Sequence, residues 1–172
     1  MKIILKHSIF LLLFLLLTVI VIFYNYIDRY YDQFDTNIEI TDKYLIEAQQ
    51  KIKNNGINPE MRLLLADGYK MAGQYDIAIK MFDELIQEDK RAYMGLALTY
   101  IREKDYKNVI KNIDLFLKYP HTLDNLPSQA RMGIYLLLYK EKARAHWKLH
   151  QYIEWAKVFP KSNYLDKRIP IK

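Results

Sequence analysis

The chain contains no cysteine, which excludes disulfide scaffolds, cysteine-ligated zinc, Fe–S clusters, thiol catalysis and lipid attachment to a cysteine. Its five glycines and five prolines exclude collagen-like sequence. Serine occurs only at Ser8, Ser128 and Ser162, which leaves no good nucleophile for a Ser-His-Asp arrangement. No glycine-rich phosphate loop or dinucleotide-binding fingerprint is present. The sequence therefore predicts a protein that is not an enzyme and holds no cofactor.

The strongest candidate for a metal site is a pair of histidines. His146 and His150 are four residues apart on a predicted helix, with Glu154 one turn later, so two imidazoles could face one ion. The segment lacks the glutamate of a zinc-protease motif, so structural or surface roles are favoured and no metal site is predicted. The acidic pairs at 83–84 and 88–89 are interpreted as solvated charges that pair with nearby lysines.

The net charge of +6 is unevenly distributed along the 172 residues. Residues 28–139 carry 15 Lys and Arg against 17 Asp and Glu, whereas residues 140–172 carry 9 against 3. A basic end of this kind meets anionic lipid, acidic protein or nucleic acid, but solvated helix faces have the same composition. We favour the solvated faces.

A long apolar run stands near the N-terminus. Residues 9–24 are apolar apart from Thr18, and residues 8–27 would form about 30 Å of helix, enough to cross a bilayer. Bulky and charged residues follow the run, with no small-x-small cleavage site. We therefore expect an uncleaved transmembrane anchor at residues 8–27 rather than a signal peptide.

The charges that flank the anchor predict its orientation. Lys2, Lys6 and the terminal amine precede it, whereas only Arg29 stands among three aspartates after it. Residues 1–7 should remain in the cytoplasm, which makes the chain a single-pass cytoplasmic-membrane protein. The remainder would lie outside, in a bacterium in the periplasm. An interfacial aromatic belt is expected from four tyrosines: Tyr24, Tyr26, Tyr30 and Tyr31.

Two segments of the remaining chain align when they are offset by 31 residues. The matched pairs are Leu65/Leu96, Ala66/Ala97, Tyr69/Tyr100, Tyr75/Tyr106, Ala78/Val109 and Phe82/Ile113. In each segment one helix ends at a short polar turn, residues 72–74 or 103–105, and a second apolar-periodic helix follows. The offset predicts two helical hairpins, each with an apolar face that only the next hairpin covers.

These spacings resemble the tetratricopeptide repeat (TPR) family, in which hydrophobic, small and aromatic residues recur at fixed places in a helical hairpin. The resemblance covers units at about residues 59–89, 90–120 and 128–160. It departs from the family at Arg62, at Leu85 and at Val109. In the third unit, Ser128 starts a helix, Ala143 takes the small position, Tyr152 opens the second helix and Phe159-Pro160 closes it, although Trp155 replaces a small residue and no glycine marks the turn.

The segments around the repeat complete the predicted organisation. Residues 28–58 form a juxtamembrane segment with a capping helix that begins at Thr41 and runs to about Lys53. Asn58 and Pro59 should start the next helix as its cap and first residue. Residues 161–172 form a basic tail. The predicted fold class is all-α: an N-terminal transmembrane helix followed by a small TPR-like solenoid of helical hairpins.

The resemblance implies a binding groove on the concave face, formed mainly by the first helix of each hairpin. The partner-binding residues that it implies are Leu63, Asp67, Lys70, Met71, Met94, Leu98, Ile101, Arg102, Arg144, Trp147 and Lys148, with Glu60, Arg91, Leu137 and Lys140 beside them. Some TPR proteins clamp a terminal carboxylate, but Leu63 and Asp67 stand at the places of the clamp residues. The alternative is that the chain's own N-terminal helix or C-terminal tail fills part of this groove.

The functional expectation is a non-enzymatic adaptor or scaffold in an envelope complex, such as a secretion system, a flagellar motor or an envelope-biogenesis complex. Its partners would be other envelope proteins or a second copy. The alternative is an accessory protein that holds an anionic lipid or glycan through a basic C-terminal segment, comprising Lys140, Lys142, Arg144, Lys148, Lys157, Lys161, Lys167 and Arg168. Nucleic-acid binding has only the charge in its favour and conflicts with the predicted topology.

Overall fold

The computed structural model describes residues 2–32 and 42–164, and this part of the chain is helical with no strand. It confirms the all-α prediction. Residues 1–38 and 39–172 form two separate compact units. The helices are α1 (Lys2–Asp32), α2 (Lys43–Asn55), α3 (Pro59–Met71), α4 (Tyr75–Leu85), α5 (Arg91–Glu103), α6 (Tyr106–Phe116), α7 (Ser128–Lys148) and α8 (Tyr152–Tyr164), with a 3-10 turn at Pro120–Leu123 before α7.

In the first unit the structure describes α1, whose 31 residues correspond to about 46 Å of helix. Its stretch Leu13–Tyr31 is long and apolar enough to cross a membrane. The polar group of Thr18 is satisfied within the helix, because its hydroxyl donates to the Leu15 carbonyl at 2.8 Å. One candidate membrane-spanning helix near the N-terminus is therefore confirmed.

Three helix pairs in the second unit share one turn geometry. The pairs are α3/α4, α5/α6 and α7/α8, and the left-handed residue of each turn is Gly73 (φ 74°), Lys104 (φ 59°) or His150 (φ 58°). The next amide then donates to the carbonyl five residues earlier: Gln74 to Tyr69 at 2.9 Å, Asp105 to Tyr100 at 3.0 Å and Gln151 to His146 at 2.9 Å. These are the long-range bonds of Schellman motifs, which satisfy carbonyls that the helix end leaves open.

The shared turn gives the three pairs a common register. A fully buried alanine, Ala66, Ala97 or Ala143, precedes the left-handed residue by seven positions in every pair. A tyrosine, Tyr75, Tyr106 or Tyr152, begins the second helix two positions after it. The third pair thus has the same turn as the other two, although histidine occupies the place of glycine.

Helix starts follow the expected capping chemistry at two places. The Asn58 side chain accepts a hydrogen bond from the Met61 amide at 2.8 Å, and Pro59 is the first residue of α3. Asp105 caps α6 in the same way through the Asn108 amide, at 3.2 Å. Thr41, the expected cap of α2, lies outside the described residues, and α2 begins directly after Asp42.

The end of the third pair differs from the prediction, because Pro160 does not close α8. The helix continues through it to Tyr164, four residues into the predicted basic tail. Proline removes one backbone hydrogen bond, but packing of the two residues before it offsets that loss. Val158 is buried, and the Phe159 ring stacks on Trp155 at 4.7 Å between centroids. Residues 165–172 of the tail lie outside the described residues.

Each helix of the second unit packs against its neighbours in sequence, and α3 also touches α5. The core has two clusters: Leu63, Ala66, Ala78, Phe82, Leu85, Ala92 and Leu96 form the first, and Ala97, Val109, Ile113, Phe116, Leu123, Leu138 and Ala145 form the second. Helix α5 belongs to both, since Leu96 faces the first cluster and the adjacent Ala97 faces the second. The matched residues of the 31-residue offset supply much of this core.

Two glycines mark places where elements approach closely. A Cβ on Gly68 in α3 would lie 2.8 Å from the Leu45 Cα of α2, and a Cβ on Gly95 in α5 would lie 2.3 Å from the Phe82 ring. Distances this short have no room for an added methyl group. By contrast, a Cβ on Gly133 in α7 would meet nothing within 4 Å.

Alanine substitutions at Gly68 and Gly133 should therefore have opposite effects on stability. We expect Gly68→Ala to lower the free energy of unfolding by about 1 to 2 kcal/mol, because the clash with the α2 backbone outweighs the gain in helix propensity. Gly133→Ala should raise it by about 1 kcal/mol through helix propensity alone. Urea unfolding of the full chain in detergent, followed by circular dichroism, measures both. Equal stabilisation by the two substitutions would show that α2 does not pack on α3 at Gly68.

Candidate functional site

The second unit contains a groove with a volume of about 640 Å³. Helix α3 supplies half of its lining, α5 forms another side, and α2 contributes Tyr44 and Lys51. Among the described residues, the lining consists of Tyr44, Lys51, Glu60, Met61, Leu63, Leu64, Asp67, Lys70, Met71, Phe82, Arg91, Met94, Gly95 and Leu98. Its volume lies within the range of about 300–1,000 Å³ that is typical of ligand sites.

The floor of the groove is apolar. Leu64, Met71, Met94 and Leu98 are each half-buried, so part of every side chain remains available to a ligand. Phe82 reaches the floor from α4 because Gly95 has no side chain in its path. A glycine inside a helix lowers the stability of the helix by about 1 kcal/mol relative to alanine. The room that Gly95 leaves for the Phe82 ring explains why glycine is nevertheless found here.

Most charges on the rim are already paired within the protein. Lys70 forms an ion pair with Asp67, one helical turn away. The guanidinium of Arg91 meets the Asp89 carboxylate through Nε and Nη2, at 2.9 and 2.6 Å, and the Arg91 amide donates to the same carboxylate at 2.8 Å. Lys51 and Glu60, of opposite sign, complete the rim, so the groove as a whole offers no strong charge.

The Arg91–Asp89 ion pair shifts the pKa values of both side chains. Burial opposes ionisation of Asp89, but its hydrogen bonds with Arg91 and the nearby positive charge outweigh burial and lower the pKa of the carboxyl below its ordinary value. The hydrogen bond to Asp89 raises the pKa of Arg91 in turn, and Glu60 adds to this effect. The pair fixes the first turn of α5 beside the groove.

The structure brings together six of the eleven partner-binding residues implied by the resemblance: Leu63, Asp67, Lys70, Met71, Met94 and Leu98. Glu60 and Arg91 also line the groove. Ile101 instead packs against the second core cluster. Arg102 and Lys148 are half-buried outside this lining.

Arg144 and Trp147 are buried in the third helix pair, with 2% and 4% of their surfaces exposed. The Trp147 ring meets the edges of Tyr152 and Trp155 at centroid distances of 5.1 and 5.2 Å. Arg144 pairs with Glu141 at 3.3 Å. Neither side chain lines the groove, because both are buried within the third helix pair.

The wall that α2 forms was not predicted from the sequence. Tyr44 and Lys51 line the groove, yet α2 was expected only to cap the stack. The available signal was Gly68, a glycine inside a helix that indicates a close neighbour. Met61, Leu64, Phe82 and Gly95 were also missed, since an apolar pattern identifies a buried face without separating a core from a groove floor.

The basic C-terminal segment is not a free strip of positive charge. Lys142 pairs with Asp114, and Lys157 pairs with Glu154 at 2.7 Å. The Lys161 amine lies over the Tyr139 ring, 5.9 Å from its centroid. Lys167 and Arg168 lie outside the described residues. These local partners already take up part of the charge that an anionic polymer would need.

Both histidines of the candidate metal pair have local partners. His146 Nδ1 lies 2.8 Å from the side-chain oxygen of Gln151, and His150 Nδ1 lies 2.7 Å from the Tyr152 hydroxyl. Within residues 2–32 and 42–164, no group of three His, Asp or Glu side chains is placed to hold a metal ion. The histidines contribute hydrogen bonds to the third turn.

The part of the chain that the structure describes is all-helical, with one apolar N-terminal helix and a set of sequentially packed helix pairs. The chain matches no model of a known protein family, no curated protein sequence and no solved structure.

The Arg91–Asp89 pair makes stability depend on pH. Because the pKa of Asp89 is lowered in the folded state, its contribution is complete at neutral pH and is lost as the pH falls through that lowered value. We expect Asp89→Asn to cost about 1 kcal/mol of unfolding free energy at pH 7. At a pH well below that pKa, where the native carboxyl is protonated too, the cost should vanish. Urea unfolding at both pH values measures it, and an unchanged cost in acid would show that the ion pair is not its source.

Proposed function

We propose that this protein is a membrane-anchored, TPR-like adaptor that holds another protein in the groove lined by α2, α3 and α5. The observation that carries the proposal is the half-buried apolar floor, to which α5 contributes Met94 and Leu98 and α3 contributes Leu64 and Met71. Apolar side chains of this kind, within a rim of paired charges, are typical of the core and rim of a protein interface. The repeated turn and the buried alanine of each helix pair support the TPR-like register.

The proposed topology follows from α1 and its flanking charges. Lys2 and Lys6 favour a cytoplasmic N-terminus, and α1 is long enough to span the membrane, so residues 42–164 would lie outside the cytoplasm. A small helical domain tethered there can recruit partners into an envelope assembly, such as a secretion system, a flagellar motor or an envelope-biogenesis complex.

The competing function, anionic lipid or glycan binding through the basic C-terminal segment, has weaker support. Lys142, Arg144 and Lys157 each have a carboxylate partner within the protein. Binding by that segment would weaken steeply as the ionic strength rises, whereas binding to an apolar groove would persist. Salt dependence therefore separates the two functions.

A photo-reactive residue tests the adaptor function in cells that make the protein at its natural level. Placed at Met94, in the groove, it should crosslink to a defined set of envelope proteins. Placed at Glu84, on the exposed side of α4, it should not, because Glu84 lies outside the groove lining. Mass spectrometry of the crosslinked bands identifies the partners. Crosslinks from Met94 only to this chain's own helices, or the same proteins from both positions, would contradict the proposal.

A further inference from the structure

We propose that the groove receives an α-helix of a partner protein, and that the docked face of this helix is apolar and carries no net charge. This inference rests on the proposed function, since it specifies what the protein bound in the groove must look like. It follows from the recognition modes that the groove cannot support, from the pairing of its charges and from its methionines.

The described backbone has few free amides and carbonyls with which an extended peptide could form hydrogen bonds. β-Augmentation needs an exposed sheet edge with free amides and carbonyls. Residues 42–164 contain no strand, and α2, α3 and α5 use their backbone groups in their own helical hydrogen bonds. A partner must therefore bind the groove through side chains.

Two other modes of peptide recognition need features that the lining of the groove does not provide. Proline-rich segments dock against rows of aromatic rings, whereas this groove offers the Tyr44 ring and the 1%-exposed ring of Phe82. Acidic motifs and terminal carboxylates need available cations. Lys70 and Arg91 already hold Asp67 and Asp89. The remaining cation of the lining, Lys51, shares the rim with Glu60 of opposite sign, so an incoming acid would meet a single lysine rather than a cluster of cations.

A helix satisfies the remaining conditions. Two helices, α2 and α5, border the groove and α3 supplies half of its lining, so an apolar helix face would complete a small helical bundle. The walls present one positive and one negative residue beyond the internal pairs, Lys51 and Glu60. A docked face with net charge of either sign would gain little from them and would pay for the loss of its hydration, whereas removing an apolar face from water is favourable.

Three methionines widen the range of helices that fit. Met61, Met71 and Met94 line the groove, and their unbranched, polarizable side chains can adjust to different apolar neighbours. Recognition should thus depend on an apolar spacing of i, i+3, i+4 and i+7 more than on one particular sequence.

The absence of cysteine makes a direct test feasible, because one introduced cysteine is the only thiol in the chain. Met71→Cys places it at the groove, and Ile77→Cys places it on α4, where Ile77 is 44% exposed and lies outside the lining. The full-length variants, in lipid nanodiscs, are equilibrated with cysteine-bearing peptides long enough to form several helical turns, in a buffer of reduced and oxidised glutathione. Oxidised glutathione supplies the disulfide, and exchange with the peptide and protein thiols forms the mixed disulfide and releases reduced glutathione. The yield of mixed disulfide then reports the noncovalent attraction of each peptide.

Three peptides of defined design serve as probes. The first has leucines at helical spacing and equal numbers of Glu and Lys on its other face, the second is a scramble of the same residues, and the third carries the same leucine face with Glu replacing every Lys. With the Met71→Cys variant we expect the first peptide to form about ten times as much mixed disulfide as the scramble. This yield should change by less than about twofold between low and high salt. With the Ile77→Cys variant the two should form disulfide equally, which also controls for lipid binding by the leucine face.

Several outcomes would overturn the inference. If the scramble forms as much mixed disulfide as the first peptide, helical spacing is irrelevant. If the acidic peptide does so, charge neutrality is irrelevant. A preference that appears only after deletion of residues 165–172 would make the chain's own tail the occupant. A self-associated protein that the first peptide dissociates, measured by sedimentation, would make a second copy the occupant. Failure of the peptides alongside partner crosslinks from Met94 would reject the helix while leaving the adaptor function intact.

Discussion

The position of α5 between two clusters of buried side chains is the constraint on which the second unit depends. Leu96 and Ala97, adjacent in sequence, face different clusters, and Tyr93 and Tyr100 contact both. Since every helix packs mainly against its neighbours in sequence, no other contact in the described chain joins the first helix pair to the second as extensively. Loss of α5 packing would separate the stack into hairpins that cannot cover their apolar faces alone.

The groove is a consequence of the same packing. Met94 and Leu98 lie on α5 beside the residues that build the core, and Gly95 admits the Phe82 ring between them. On the other side, the close approach at Gly68 holds α2 against α3, where α2 extends the lining. Because one short helix serves both the core and the binding surface, a substitution that loosens α5 would alter affinity through stability. Matched variants on α4, whose exposed face is outside the groove, separate the two effects.

Sequence reasoning succeeded where local chemistry decides the structure. The starts of α3, α4, α6 and α8 fall at the expected residues, because Asn58 and the repeated turns act within a few positions of the chain. It failed where contacts between residues far apart in the sequence determine the structure. Gly68 signals a close neighbour without identifying it as α2, and nothing local indicates that Trp155 covers Trp147 or that packing carries α8 through Pro160. No glycine marks the left-handed position at His150, although histidine adopts this conformation more readily than most residues.

The central claim, that a partner protein covers an otherwise accessible groove, is tested most directly by thiol accessibility. A Met94→Cys variant provides the single thiol, and a maleimide reagent reports its exposure in native membranes and after purification in detergent. We expect slow labelling in native membranes and fast labelling of the purified protein, with a Lys80→Cys variant on α4 labelled equally in both. Equal labelling of the Met94→Cys variant in both preparations would contradict the claim, because either the groove has no partner or the chain itself fills it.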